Sequence, residues 1–117
     1  MTWSQDVAQW HEDMGLECTG NPELGMRLID EEADELDEAV RSGDRAQILK
    51  ESLDLIWVIL GNLNRHGISP EQVDHGWDRL CRSNQSKVGA PLDANGKLTK
   101  GPNYVPADMA AVLGGEG

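Results

Sequence analysis

Apolar residues recur along this chain in steps of three and four between short polar turns, and that rhythm predicts helices and no sheet. A first helix takes Ser4 as its N-cap and carries Val7, Trp10, His11 and Met14 at helical spacing until Gly15 ends it. Asn21 followed by Pro22, an N-cap with proline in the first helical position, opens a second helix that runs to Arg41 or Ser42 before Gly43. Its stripe of Met26, Ile29, Ala33, Leu36 and Val40 is the face expected to meet the core. Asp44 with Gln47 resembles a capping box, and a third helix extends from Arg45 to about His66, stopped by Gly67. Leu49, Leu53, Ile56, Leu60 and Leu63 line one side of it and Leu55, Val58 and Ile59 the other, so it is the central helix, buried on two faces. Ser69, Pro70, Glu71 and Gln72 start a fourth, carrying Val73, Trp77 and Leu80 to about Arg82.

Four helices with short links predict an all-α, four-helix bundle-like domain, with its helical part over about residues 4–83 and a loop and tail over 84–117. The whole chain, residues 1–117, reads as one domain. Ser86, Gly89, Pro91, Asp93, Asn95, Gly96, Gly101 and Pro102 are turn residues, and Asn95-Gly96 is a tight-turn signal, so an ordered loop or small hairpin is expected there. The tail from Ala107 is small and Gly-rich and is expected to fray. With no phenylalanine and only Trp3, Trp10, Trp57, Trp77 and Tyr104 as aromatics, the core rests on Leu, Ile, Val and the tryptophans. Domains of this kind often share their core between subunits.

Charge narrows the function. A net charge of -11 repels nucleic acid and anionic membrane surfaces and invites cations. Cys18 and Cys81 have no metal-ligand spacing and read as reduced, buried or half-buried thiols of a cytoplasmic protein. The N-terminus has no signal-peptide pattern, and the longest uncharged apolar run, Leu55 to Leu60, is too short to span a bilayer.

Against this background the carboxylates stand out. Between Asp30 and Glu38 seven of nine positions are acidic. At about 100° per residue, Glu32 and Glu35 share the flank of the second helix that borders its apolar stripe. Asp30, Asp34, Asp37 and Glu38 have no such constraint, and a solvated acidic face is the plain alternative for the run as a whole. Glu51 and Asp54 are the sharper anomaly, two like charges three residues apart beside Leu55 and Val58, with Lys50 and Arg45 at other angular positions. A divalent cation shared with Glu32 and Glu35 would resolve the cost. Five of the ten basic residues, Arg79, Arg82, Lys87, Lys97 and Lys100, fall where the only acid is Asp93, an island suited to a polyphosphate or simply to solvent.

Glu31-Glu32-Ala33-Asp34-Glu35 followed one helix later by Glu51-Ser52-Leu53-Asp54 reads as EExxE and ExxD. This pair resembles the signature of the MazG-like all-α nucleoside triphosphate pyrophosphohydrolases, a superfamily that includes phosphoribosyl-ATP pyrophosphohydrolase and dimeric dUTPases. Arg82-Ser83-Asn84-Gln85-Ser86-Lys87 and Lys100-Gly101-Pro102-Asn103-Tyr104-Val105-Pro106 look like its short, single-domain bacterial and phage members, although Gln85 stands where those commonly have Met.

The resemblance implies hydrolysis between the α and β phosphates of a nucleoside triphosphate with Mg²⁺ as cofactor and Mn²⁺ as a substitute. It implies Glu32, Glu35, Glu51 and Asp54 as metal ligands, and Glu31 as the residue that holds a second ion or positions the water, with Glu35 beside it in catalysis. Asn84 and Lys87 would contact ribose or phosphates, and Lys100, Asn103 and Tyr104 would close over the nucleotide. Trp10-His11 looks similar to an aromatic-His pair of the family, which adds His11 to the substrate contacts. By its residues alone, with no second His or Cys at ligand spacing, His11 reads as structural. A dimer or tetramer is implied, with paired helices packed across subunits. Two other readings stay open: a phosphoribosyl-ATP pyrophosphohydrolase, which the C-terminal stretch does not resemble, and a non-enzymatic helical interaction module whose acids serve solubility.

Overall fold

A computed structural model describes residues 2–16 and 21–114, and these are all-α: α1 (Trp3–Asp13), α2 (Pro22–Ser42), α3 (Arg45–Arg65), α4 (Pro70–Gln85) and α5 (Met109–Gly114). Residues up to Pro70 form one compact unit and residues from Glu71 onward a second. Cys18 lies outside the described residues. Cys81 is free and exposed rather than buried, because it sits on the outer face of α4.

Local chemistry sets the helix ends. Asn21 Oδ1 accepts from Leu24 N (3.1 Å), and Asp44 Oδ1 accepts from Ala46 N (3.0 Å) and Gln47 N (3.3 Å), satisfying amides that have no partner inside a first turn. Between these caps Gly43 sits at φ 73° and donates its N–H to Ala39 O and Val40 O. A side chain would resist that left-handed conformation, and the tight link it allows turns α2 and α3 into an antiparallel hairpin. α1 starts earlier than its apolar pattern predicts: Thr2, not Ser4, is the N-cap. Thr2 Oγ1 accepts from Gln5 N (3.3 Å) while Thr2 N donates to Gln5 Oε1 (2.8 Å), a reciprocal capping box that serves two groups where Ser4 would serve one. Ser4 is buried instead.

In the first unit α3 is central, with α2 along its length and α1 against its C-terminal half. Val7, 1% exposed, and His11 pack over Gly61, where an added Cβ would lie 2.8 Å from His11 Nε2. The inward face of α2 is rotated from the expected stripe. Gly25, Leu28, Glu32, Leu36 and Ala39 run along the seam with α3, whereas Met26, Ala33 and Val40 are exposed. The reason is steric: a helix comes closest to its neighbour where side chains are smallest, and Gly25 lies so near Asn62 that a Cβ there would overlap Asn62 Oδ1. On α3, Leu49 (62% exposed), Leu53 and Trp57 likewise face outward. Together with Trp3 they leave a broad apolar surface around a cavity of about 240 Å³ between α1 and α3.

The second unit holds α4, a turn segment and α5. Leu92 bridges Leu98 in antiparallel fashion around Asn95-Gly96, with Asp93 Oδ1 accepting from Asn95 N (2.8 Å) and Lys97 N (2.9 Å), so the expected small hairpin is present. The expected frayed tail is not what forms over 109–114. Asp108 Oδ1 caps Ala111 N (3.0 Å), two alanines favour helix, and Val112 is buried, which together support α5.

Val7 is the most deeply buried large side chain among the described residues. Val7→Ala should lower the unfolding free energy by about 1–2 kcal/mol. Gln9→Ala, on the exposed side of α1, should shift it by less than about 0.5 kcal/mol. Urea denaturation followed by circular dichroism checks both.

Candidate metal centre

The hairpin turns two acidic segments toward each other. Glu32 and Glu35 come from α2 and Glu51 from α3, and one carboxylate oxygen of each lies within 4.8 Å of the others. The antiparallel register explains the meeting: Gly25 faces Asn62 and Glu35 faces Glu51, pairs whose residue numbers add to nearly the same value.

Asp30, Glu31, Asp34, Glu35, Asp37 and Glu38 are exposed, so most of the acidic run is a solvated face, and Glu32 and Glu51 are the half-buried exceptions. Glu32 Oε2 and Glu51 Oε2 are buried in the seam and accept no hydrogen bond, although a buried carboxylate oxygen normally has a partner. Burial is the first cause that raises the Glu51 pKa above its ordinary value. A side-chain hydrogen bond with Glu35, which requires a proton between the two carboxyl groups, raises it further. Lys50 opposes this, while the charges of Glu35 and Asp54 add to it.

Asp54 is not in the three-residue group. It pairs with Lys50, whose Nζ lies 2.5 Å from Asp54 Oδ2 and 3.8 Å from Glu51 Oε1. Angular position alone put Lys50 elsewhere on α3, but its long side chain reaches the next turn. The signal was present as a Lys four residues before an Asp. The Lys50 pKa is raised, first by its hydrogen bond to Asp54 and then by the charges of Asp54 and Glu51. Glu31 is exposed and outside the group.

The donor set fits a divalent cation. Three carboxylates supply hard oxygen ligands, two of their buried oxygens lack any partner, and a cation would replace the proton that burial and repulsion now favour on Glu51.

His11 lies elsewhere, on the α1–α3 contact. It is 3% exposed, Asn64 Nδ2 donates to its Nδ1 (3.1 Å), and its ring tilts against Trp10 with centroids 5.6 Å apart. Burial, then the charge of Arg65, lowers its pKa.

In the second unit, four of the five residues expected there to contact substrate converge. Lys87 Nζ donates to Asn84 Oδ1 (3.2 Å), and Lys87 and Lys100 approach the Tyr104 ring at 5.8 and 5.0 Å from its centroid. Ser86 ties this together, donating to Ser83 O (2.6 Å) and accepting from Val105 N (2.8 Å). Ser86 read only as a turn residue in the sequence. Asn103 is exposed beside Tyr104.

The family model for phosphoribosyl-ATP pyrophosphohydrolase matches residues 17–83, more than half of the chain and all three clustered glutamates. The chain belongs to the phosphoribosyl-ATP pyrophosphohydrolase family. It therefore falls within the MazG-like all-α superfamily, and membership points to pyrophosphohydrolase chemistry on nucleotide-like substrates. A search of curated proteins gives no match. Seen as a pyrophosphohydrolase, the three-glutamate group between α2 and α3 is the feature that the family's metal dependence would use.

The raised pKa of Glu51 carries a sign. The folded protein holds that proton more tightly than the unfolded chain, so this group's stabilising contribution is full below its ordinary 4.5 and is lost as pH rises through the raised value. In metal-free buffer, Glu51→Gln should unfold at a higher temperature than wild type at pH 8, with the gap closing toward pH 4. Thermal melts across that range check it; a gap independent of pH would contradict the assignment.

Proposed function

We propose that this chain is a Mg²⁺-dependent nucleoside triphosphate pyrophosphohydrolase that cleaves the α–β phosphoanhydride, releasing a nucleoside monophosphate and pyrophosphate. The observation that carries the reading is a group of three glutamates, two of them half-buried with one buried, unpartnered oxygen each, in a chain of this family. Glu32, Glu35 and Glu51 hold the cation, and Asp54 joins them when Lys50 yields it. A bound Mg²⁺ supplies charge neutralisation on the phosphate oxygens and a more acidic water. Glu35, exposed at the mouth of the seam, takes the proton of the attacking water while Glu31 on the same helix positions that water. The water oxygen bonds to phosphorus, the anhydride bond breaks, and the electron pair leaves with pyrophosphate. Lys87 and Lys100 hold phosphate oxygens, Asn84 and Asn103 the ribose, and Tyr104 arranges the two ammonium groups. His11 has its place in the α1–α3 packing and takes no part in this scheme.

A second reading is favoured by the family match itself, with phosphoribosyl-ATP as the substrate. The stretch Lys100 to Pro106 does not resemble that branch, so nucleoside triphosphates come first.

The working form is a homo-oligomer, dimer or tetramer. Met26, Val40, Leu49, Leu53 and Trp57 are exposed large apolar residues on the α2–α3 hairpin, more than a solitary domain ordinarily leaves to water. No helix among the described residues is long and apolar enough to cross a membrane, and the net charge of -11 disfavours nucleic acid as a partner. The cytoplasm, where such substrates occur, is the proposed location.

Purified protein with Mg²⁺ should release pyrophosphate from one or more members of a panel of ribo- and deoxynucleoside triphosphates that includes oxidised and uracil-containing ones. Glu35→Ala and Asp54→Ala should each lower kcat by about 100-fold or more while retaining the helical circular dichroism signal. Phosphoribosyl-ATP assayed beside the panel separates the two substrates, and a panel without turnover of any member rejects the enzyme reading. Sedimentation at micromolar concentration should show an oligomer, with Leu53→Glu shifting it to monomer.

A further inference from the structure

We infer that Gly25 and Asn62 form a positioning pair that sets the α2–α3 separation on which the acid cluster depends. This rests on the cation reading above. Gly25 is buried inside α2, and a Cβ there would overlap Asn62 Oδ1 on α3. Asn62 Oδ1 is itself buried and accepts no hydrogen bond. Each residue is locally unfavourable, because glycine weakens a helix interior and an unpartnered buried oxygen loses its solvation without replacement. Two such choices at one contact indicate that the contact serves something beyond its own stability.

Geometry shows what that is. Gly25 stands two turns before Glu32 on the same face of α2. The closeness that Gly25 permits therefore governs how far the carboxylates of Glu32 and Glu35 lie from Glu51. Their oxygens now sit within 4.8 Å of one another, and a cation bound through contacts of about 2.1 Å tolerates little widening. Gly25 and Asn62 lie outside the three-glutamate group. They act by holding the helices at the spacing the three glutamates require.

The test is Mn²⁺ binding to the full chain without nucleotide, followed by paramagnetic resonance well below the unfolding transition, where a merely structural loss of stability leaves the binding constant unchanged. Gly25→Ala should weaken Mn²⁺ binding about tenfold or more. Asn62→Leu, which fills the same space from the other helix, should weaken it similarly. Asn62→Ala should bind nearly as wild type does, and Gly25→Ala combined with Asn62→Ala should recover most of the affinity lost. Wild-type affinity in folded Gly25→Ala overturns the inference, as does a folded double variant that fails to recover. If Gly25→Ala does not fold, the double variant and Asn62→Leu decide between the same outcomes. A wild-type chain that binds no Mn²⁺ sinks the cation reading and this inference with it, whereas intact binding in every variant sinks the inference alone.

Discussion

Carboxylates in a helix seam are the constraint from which the rest of this structure follows. Glu32 and Glu51 each bury one carboxylate oxygen in the contact between α2 and α3, where no group among the described residues donates to it. Such an arrangement is tolerated only when the flanking contacts hold the helices together regardless, and here they do. Gly25 closes against Asn62 at one end and Ala39 is buried toward the other, with Gly43 and Asp44 fastening the turn beyond. The helices are thus clamped on both sides of a region that, left alone, would push them apart. The nearby ammonium of Lys50, 3.8 Å from Glu51 Oε1, reduces that repulsion.

Much of this was legible along the chain, for physical reasons that also mark where legibility stops. Helix ends governed by one or two residues were readable: Asn21, Asp44 and Gly43 act locally, and their hydrogen bonds lie where their chemistry puts them. The start of α1 is ambiguous in the sequence because Thr2 and Ser4 both have capping side chains, and the reciprocal bond between Thr2 and Gln5 decides it. α5 is hidden in the sequence because Met109, Ala110 and Ala111 resemble a loose tail, and only the Asp108 cap marks them as a helix start. The grouping of Glu32, Glu35 and Glu51 was legible because Glu32 and Glu35 border the apolar stripe of α2, Glu51 sits beside apolar neighbours on α3, and the EExxE and ExxD pattern links the two helices.

What the chain did not disclose was orientation. The apolar stripe of α2 suggested one inward face, but contact distance is set by the smallest residues, and the helix turned to bring Gly25 and Ala39 inward along with Glu32. Met26 and Val40 are left outside as a result, 50% and 56% exposed. Similarly, the pairing of Lys50 with Asp54 depends on the reach of a flexible side chain rather than on its angular position.

Lys50 has a consequence for how the site meets its ion. Its ammonium already neutralises part of the charge around Asp54 and Glu51, so a divalent cation held by Glu32, Glu35 and Glu51 would compete with a tethered monovalent one. Affinity then measures an exchange rather than a first capture, and counting carboxylates overstates it. The same Lys50 pairing balances part of the seam's charge whenever a divalent ion is not held there.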